Sequence, residues 1–378
     1  MMSRATARSK DAPTREMIVF TGLGVIWLAV AGLVGLDTGA KGVTLFALGT
    51  ALGTVFLSFQ YGFASGWRNF LQSGNMTGLA SHFLLAALCA VLFIPAGTLG
   101  ISAAGSLAPI SLSLFIGAFA FGIGMQLANG CGSGVLFSFG GGSGRMLMAL
   151  PFFVLGSLLG SLWLPSVLAW GQLDPIQIGG GLTPVLRTLV NLLLLVGASF
   201  IFWQAGRRRG QTMPRKLVLG SLIIAALCWA VFLVSGHPWG VTFGFTLWGA
   251  KLASAVGFDI ASHEFWQWPG PARALAHSVL ADNSSLMDIG MLIGAGLWAA
   301  FSGAFYKQAW PNQRQLLAAA IGGLLMGVGA RFAFGCNIGA FLAGTASGSL
   351  HGWIWFAMAM GGSWVGIKLR PHLGFGEK

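Results

Sequence analysis

Two stretches of this chain carry a thiol in a setting where a thiol can do chemistry: Gly130-Cys131-Gly132-Ser133-Gly134 and Gly335-Cys336-Asn337-Ile338-Gly339. A cysteine sulfur is soft and polarizable. It suits a soft metal or a substrate that itself contains reduced sulfur, and is of little use for sugars or alkali ions. No second cysteine lies within metal-ligand spacing of either one and the six histidines are scattered, which disfavours copper or zinc. Cys89 (Ala-Leu-Cys-Ala) and Cys228 (Ala-Leu-Cys-Trp) sit inside continuous apolar runs and read as packing residues. Four cysteines so scattered make no disulfide framework.

The second stretch repeats the first at a fixed offset of 205 residues, counted from Cys131 to Cys336. The same offset sets Ile116 on Ile321, Gly117 on Gly322, Gly122 on Gly327, Gly124 on Gly329, Ala128 on Ala333 and Gly156 on Gly361. Each copy follows a Gly-studded apolar run and is too polar and Gly-rich to continue it through lipid. Non-helical backbone survives at membrane depth only when buried in protein or lining a cavity. Paired, Gly-interrupted apolar segments at corresponding places in two halves mark a transporter's binding site. Two re-entrant Gly-Cys loops meeting near the midplane are therefore expected.

The residues nearby indicate the charge of the cargo. Arg331 lies five residues before Cys336 inside an apolar run, and Gln126 holds the matching place before Cys131. Lys251 interrupts the apolar stretch 240–257. Both cations have a plainer role as snorkelling end residues. Set against a lone Asp288, they favour an anion. Asn129, Asn337, Ser133 and the backbone N–H groups around Gly130, Gly132, Gly134, Gly335 and Gly339 can donate hydrogen bonds, and loop amides beside helix N-termini form anion nests. His351 opens the last span and is placed on the same path, its plainer role being a cap or an interfacial position. Gly140-Gly141-Gly142-Ser143-Gly144 lacks the Gly-Lys-Ser/Thr and the preceding strand of a phosphate loop, so it reads as close packing or a hinge.

Elements that hold such residues must be membrane helices. Of 378 residues, 55% are hydrophobic and only 8% charged, against roughly 25% charged in soluble domains. An all-α, polytopic integral membrane protein follows, and the 59 glycines suit close helix approach. The net charge of +12 comes from basic residues at segment ends rather than on one face, which excludes nucleic-acid binding and leaves orientation and anion attraction.

In order, 1–16 reads as a basic cytoplasmic segment. No cleavable signal peptide is expected, since 17–36 is apolar over transmembrane length. Further spans are predicted at about 42–63, 76–93, 110–129, 147–169, 186–205 and 217–235. The loop after the second span carries Arg68, and Arg207-Arg208-Arg209 with Arg215-Lys216 gives the strongest positive-inside signal. Stretch 240–257 is read as re-entrant, 258–285 as interfacial, and 287–305, 315–334 and 351–367 as the last apolar segments. The halves are a first repeat at 17–185, a linking helix and basic loop at 186–216, and a second repeat at 217–378. A re-entrant 240–257 puts both termini in the cytoplasm and makes the repeats inverted, whereas a full crossing keeps a parallel repeat open.

Gly-Ala-Arg-Phe-Ala-Phe-Gly-Cys-Asn-Ile-Gly (329–339), Ala-Ser-Gly-Ser-Leu-His-Gly-Trp (346–353) and Asn-Gly-Cys-Gly-Ser-Gly (129–134) resemble the YeeE/YedE family of sulfur-transport membrane proteins, from about residue 42 onward. The resemblance implies uptake of thiosulfate through the bacterial inner membrane. It also implies cysteines that line a central path and touch the ion's outer sulfur, a TusA-like cytoplasmic sulfur carrier as partner, and no cofactor. Cys131 and Cys336 match two family cysteines. A third, expected around Asn69–Gly74, is absent, since that stretch reads Asn-Phe-Leu-Gln-Ser-Gly. YedE-type relatives linked to selenium metabolism are an alternative. A membrane-embedded thiol sulfurtransferase is another; it would need an activating base or resolving cysteine, and neither thiol has a neighbouring His, carboxylate or Cys-x-x-Cys in the sequence.

Overall fold

The computed structural model describes residues 12–375, so most of the basic N-terminal segment and Lys378 lie outside the described residues. Helix α1 (Ala12–Phe59) is broken at Gly39, whose φ of 65° and ψ of −158° leave the helical region. At 1.5 Å per residue, an unbroken helix of 48 residues would be more than twice the roughly 30 Å of a bilayer core. The break divides it into the two apolar pieces predicted at 17–36 and 42–63.

There follow α2 (Phe63–Ser73), α3 (Thr77–Phe93), α4 (Leu112–Ala128), α5 (Gly132–Gly140), α6 (Gly144–Leu168), α7 (Pro184–Arg208) and α8 (Arg215–Ser235). Then come α9 (Thr242–Ala255), α10 (Glu264–Gln267), α11 (Pro269–Ala276), α12 (Asn283–Phe301) and α13 (Gln313–Phe332). A π-helical turn, Asn337–Leu342, runs into α14 (Ala343–Ala346), and α15 (Leu350–Leu369) ends the chain's helices. Among the described residues, strand is confined to β1 (Ile110–Ser111) and β2 (Gln172–Leu173), which pair antiparallel. Among the described residues, seven helices are long and apolar enough to cross a membrane, so the protein is an all-α, multi-pass membrane protein.

One segment differs from the sequence reading, and a second takes a form that the reading leaves between two alternatives. The stretch after the second span, predicted as a loop, is α2, which buries Phe63, Ala64 and Trp67 on one face. Stretch 240–257 forms α9, whose 14 residues cover only about 21 Å and cannot cross alone.

Packing partners are exchanged between the halves. Helix α1 packs on α12 as α8 does on α3, and α4 packs on α15 as α13 does on α6. Across the centre, α4 meets α13 through glycines. A methyl group on Gly117 would stand 2.7 Å from the Gly329 carbonyl oxygen, and one on Gly124 would stand 2.5 Å from that of Gly322. The earlier glycine of α4 thus meets the later one of α13, so the two helices run antiparallel. The contact is reciprocal in the sense of the 205-residue offset, which equates Gly117 with Gly322 and Gly124 with Gly329.

The rest of α13 is as tightly held. At Gly327 any Cβ would strike the Phe153 carbonyl of α6, with Ser157 N only 2.5 Å away. Overpacking a backbone-to-backbone contact is not relieved by a rotamer change. Gly327→Val is expected to lower stability by at least about 2 kcal/mol, read as an earlier thermal unfolding transition in detergent. An unshifted transition would contradict this packing.

Candidate functional site

The thiols sit where two helices stop and restart. Helix α4 ends at Asn129 in the left-handed region, with φ 67°. Cys131 is extended and caps α5, its sulfur accepting the Gly134 N–H at 3.3 Å and lying 3.5 Å from Ser133 Oγ. In the second copy Phe334 takes φ 59° at the place corresponding to Asn129, and Gly335 takes φ 147°. Cys336 is extended again, and its carbonyl accepts the Ala340 N–H at 2.8 Å. Asn tolerates positive φ, whereas Phe is held there only by its surroundings. Strain is thus kept at the turn that presents Cys336.

The two turns converge. A methyl group on Gly132, the residue after Cys131, would stand 2.8 Å from Cys336 Sγ. The second thiol therefore rests on the backbone beside the first, and Gly132 is the residue that allows it. Both thiols are buried. Each stands at the N-terminal end of its half-helix, where unpaired N–H groups and the positive dipole end favour an anion.

Two cavities of similar size adjoin the pair. One, of about 180 Å³, is lined by Gln60, Arg68, Asn129, Gly130, Cys131 and Ser138 among others. The other, of about 170 Å³, is lined by Trp239, Thr242, Arg331, Phe334, Gly335 and Gly339 among others. Phe56 links their walls, stacking on Phe137 of the first at 5.7 Å and meeting Trp239 of the second at 5.8 Å. Each cavity holds one guanidinium. Arg68 donates to Asn129 Oδ1 at 2.5 Å, and Arg331 donates to Thr242 Oγ1 at 3.4 Å while staying 9% exposed. Among the described residues, no carboxylate lines either cavity.

Of the residues picked out by sequence, Cys131, Cys336, Asn129, Arg331 and the five loop glycines come together. Asn337 joins them, fully buried with neither side-chain atom hydrogen-bonded among the described residues. Gln126 stands behind the first turn, its Nε2 donating to the Ala64 carbonyl at 3.3 Å. Lys251 lines neither cavity. Its Nζ donates to the Leu275 carbonyl at 2.6 Å, because the short segment after α9 folds back beside it. His351 lines neither cavity and is no interfacial cap. It is buried against Gly344, with Nδ1 2.6 Å from Ser349 Oγ.

Sequence reasoning missed Arg68 as a site residue, having counted it only as a positive-inside signal. The available clue was the amphipathic run between Gly62 and Gly74, which turns one face inward. Arg68 also belongs to a cluster. Arg370 donates to the Gln126 carbonyl at 2.6 Å, and both Arg145 and Arg370 lie over the Phe375 ring, at 4.7 and 4.0 Å. Burial first, then the charges of Arg68 and Arg145, push the Arg370 guanidinium down to about 10, so it remains charged at neutral pH.

Two thiols between cationic, carboxylate-free cavities suit a sulfur-bearing anion, and comparison with known proteins leads the same way. The sulphur-transport family pattern matches residues 60–365. The chain is 30% identical over 268 residues to the thiosulfate transporter TsuA of Spirochaeta thermophila, covering 66% of this chain and 75% of that one. It is 23% identical over 287 residues to the thiosulfate transporter TsuA of Escherichia coli, covering 69% and 76%. To the probable transporter YedE of Escherichia coli it is 34% identical over 141 residues, 36% of this chain and 33% of that one. A match over residues 60–365 of a multi-pass membrane chain means that this protein belongs to the sulphur-transport (YeeE/YedE) family.

Proposed function

We propose that the protein takes up thiosulfate across the bacterial cytoplasmic membrane, passing it from one cavity to the other across the Cys131–Cys336 pair. The observation that carries this reading is the meeting of two buried thiols between two cavities that each offer one guanidinium and no carboxylate. Arg331 attracts the dianion on one side and Arg68 on the other. The loop N–H groups with Asn129 and Asn337 replace its hydration, and the thiols make weak contacts with its outer sulfur across the dry step. Weak contacts suit conduction, because a tight site would not release the ion.

The antiparallel crossing of α4 and α13 supports inverted repeats, with the halves running over 17–185 and 217–378 around the link at 186–216. The positive-inside rule favours a cytoplasmic side for the Arg68, Arg145 and Arg370 mouth and for both termini. A TusA-like sulfur carrier would collect the ion there. The relatives named as thiosulfate transporters favour thiosulfate over a selenium compound. A sulfurtransferase is the weaker reading, since no carboxylate or histidine lines the cavity of Cys131 to act as its base.

The test is counterflow. Purified protein in liposomes preloaded with thiosulfate should exchange it for external ³⁵S-thiosulfate saturably, with no inhibition by sulfate, which lacks the outer sulfur. A well-folded protein that exchanges none rejects thiosulfate as cargo. Conversion of thiosulfate by the detergent-solubilised protein would establish the enzyme instead.

A further inference from the structure

Of the buried titratable side chains that take no part in the path above, His82 and Asp288 occupy closely corresponding places, one residue off the 205-residue offset. His82 is the sixth residue of α3 and Asp288 the sixth of α12, and these helices hold equivalent positions in the exchanged packing, α3 on α8 and α12 on α1. Each lies against a glycine of the neighbouring half-helix. A methyl group on Gly66 would stand 2.8 Å from His82 Cε1, and one on Gly244 would stand 2.5 Å from Asp288 Oδ2. Gly66 and Gly244 each follow by four residues a glycine, Gly62 or Gly240, that lines one of the two cavities.

Neither side chain is satisfied. Asp288 is 0% exposed with neither oxygen hydrogen-bonded, and His82 is 2% exposed with Nδ1 unpartnered, among the described residues. The groups facing Asp288 supply no counter-ion. Asp282, on the same helix, is near enough for its charge to act on Asp288, and Cys336 lies within similar reach. Lys251 of α9 is held by the Leu275 carbonyl, and neither α5 nor the 42–59 piece of α1 contains a titratable residue. No group of three His, Cys, Asp or Glu residues that could hold a metal ion forms among the described residues, which disfavours a transition-metal site.

A carboxylate buried at membrane depth without partners marks a functional position rather than a structural one. We propose that Asp288 is a proton-binding site that couples entry of the sulfur anion to entry of a proton, with His82 as its counterpart on the other side of the thiol pair. The inference rests on the transport reading above. Asp282 gives the proton a way in from water, since it caps α12 and lines a wide cavity of about 660 Å³ with Lys41, His237, Arg273 and His277. Charged, Asp288 repels an anion arriving beside Cys336. Neutralised by one proton, it admits the anion, and the same proton leaves on the far side after it. No bond of the anion is broken.

The experiment compares two modes in liposomes holding the full chain. In counterflow at equal pH, wild type and Asp288→Asn should both exchange ³⁵S-thiosulfate, within about threefold of each other. With the outside one pH unit more acidic, wild type should accumulate thiosulfate up to about tenfold more than without the gradient, and a trapped pyranine dye should report luminal acidification that depends on thiosulfate. Asp288→Asn should lose both responses and Asp288→Glu should keep them. Gradient-driven accumulation by Asp288→Asn equal to wild type would overturn the proposal. So would wild-type counterflow without thiosulfate-dependent acidification, a measurement that decides even where Asp288→Asn does not fold. Accumulation driven by a sodium gradient at constant pH would overturn it as well. Absence of wild-type counterflow rejects the thiosulfate reading and this coupling with it.

Discussion

Cys131→Ala and Cys336→Ala should each reduce thiosulfate uptake about 10- to 100-fold while leaving the protein folded. On the proposed path each substitution removes one sulfur that would contact the ion where no water can replace it, and an unreplaced buried contact to a charged group is worth about 1.5 to 3 kcal/mol. The Ser variants should restore little, because a hard hydroxyl forms a poor contact with a soft sulfur. Packing alone predicts a different result. Removing a small buried group leaves a small void costing about 1 kcal/mol, so the unfolding transition should move slightly and uptake should stay. Cys89→Ala is the control, since that thiol is buried away from both cavities. Full uptake by either Cys131→Ala or Cys336→Ala would remove the thiol from the path.

Arg331→Gln should lower uptake at limiting thiosulfate about tenfold or more, and Arg68→Gln should do the same from the other side. In each cavity the guanidinium is the one charged lining residue, and it stands partly desolvated, where attraction between unlike charges is several times stronger than in water. The loss should appear as a raised KM for Arg331→Gln, with Arg331→Lys recovering part of it. It should be specific for the anion rather than a fall in thermal stability. Lys251→Met, whose ammonium is held by the Leu275 carbonyl, should stay within about twofold of wild type. Equal KM values for wild type and Arg331→Gln would discard the electrostatic role, and a large loss in Lys251→Met would return that residue to the path.

Much of this arrangement was legible in the chain. The spacing of the Gly-Cys stretches announced both turns, because a backbone that must leave the helix at membrane depth leaves a compositional trace that side chains on a regular helix do not. The close approach of helices was legible for the same reason, since Gly117, Gly124, Gly322 and Gly329 are glycines wherever a backbone passes within contact of another. What failed was the aim of long side chains. Lys251 and Arg331 look alike as lone cations in apolar runs. Only the fold-back of the segment after α9 turns one to a carbonyl, while the cavity receives the other. Arg68 was hidden by the opposite error, since a short amphipathic helix tucked under a span reads as a loop. His351 is drawn inward by Gly344 and Ser349, neighbours that appear only when the second turn closes on α15.

The central glycine crossing has a mechanical consequence. Helices α4 and α13 touch backbone to backbone at Gly117 with Gly329 and Gly124 with Gly322, so neither has a layer of side chains over which to slide. A joint of this kind acts as a fulcrum: rocking about it widens the gap at one end as it narrows the other, and the thiol pair, close to the pivot, moves least. Spin labels placed at Gln60 and at Pro238, one beside each cavity, should therefore report distance changes of opposite sign to a common reference on α13 when thiosulfate is added. Changes of the same sign would describe a molecule that breathes rather than rocks.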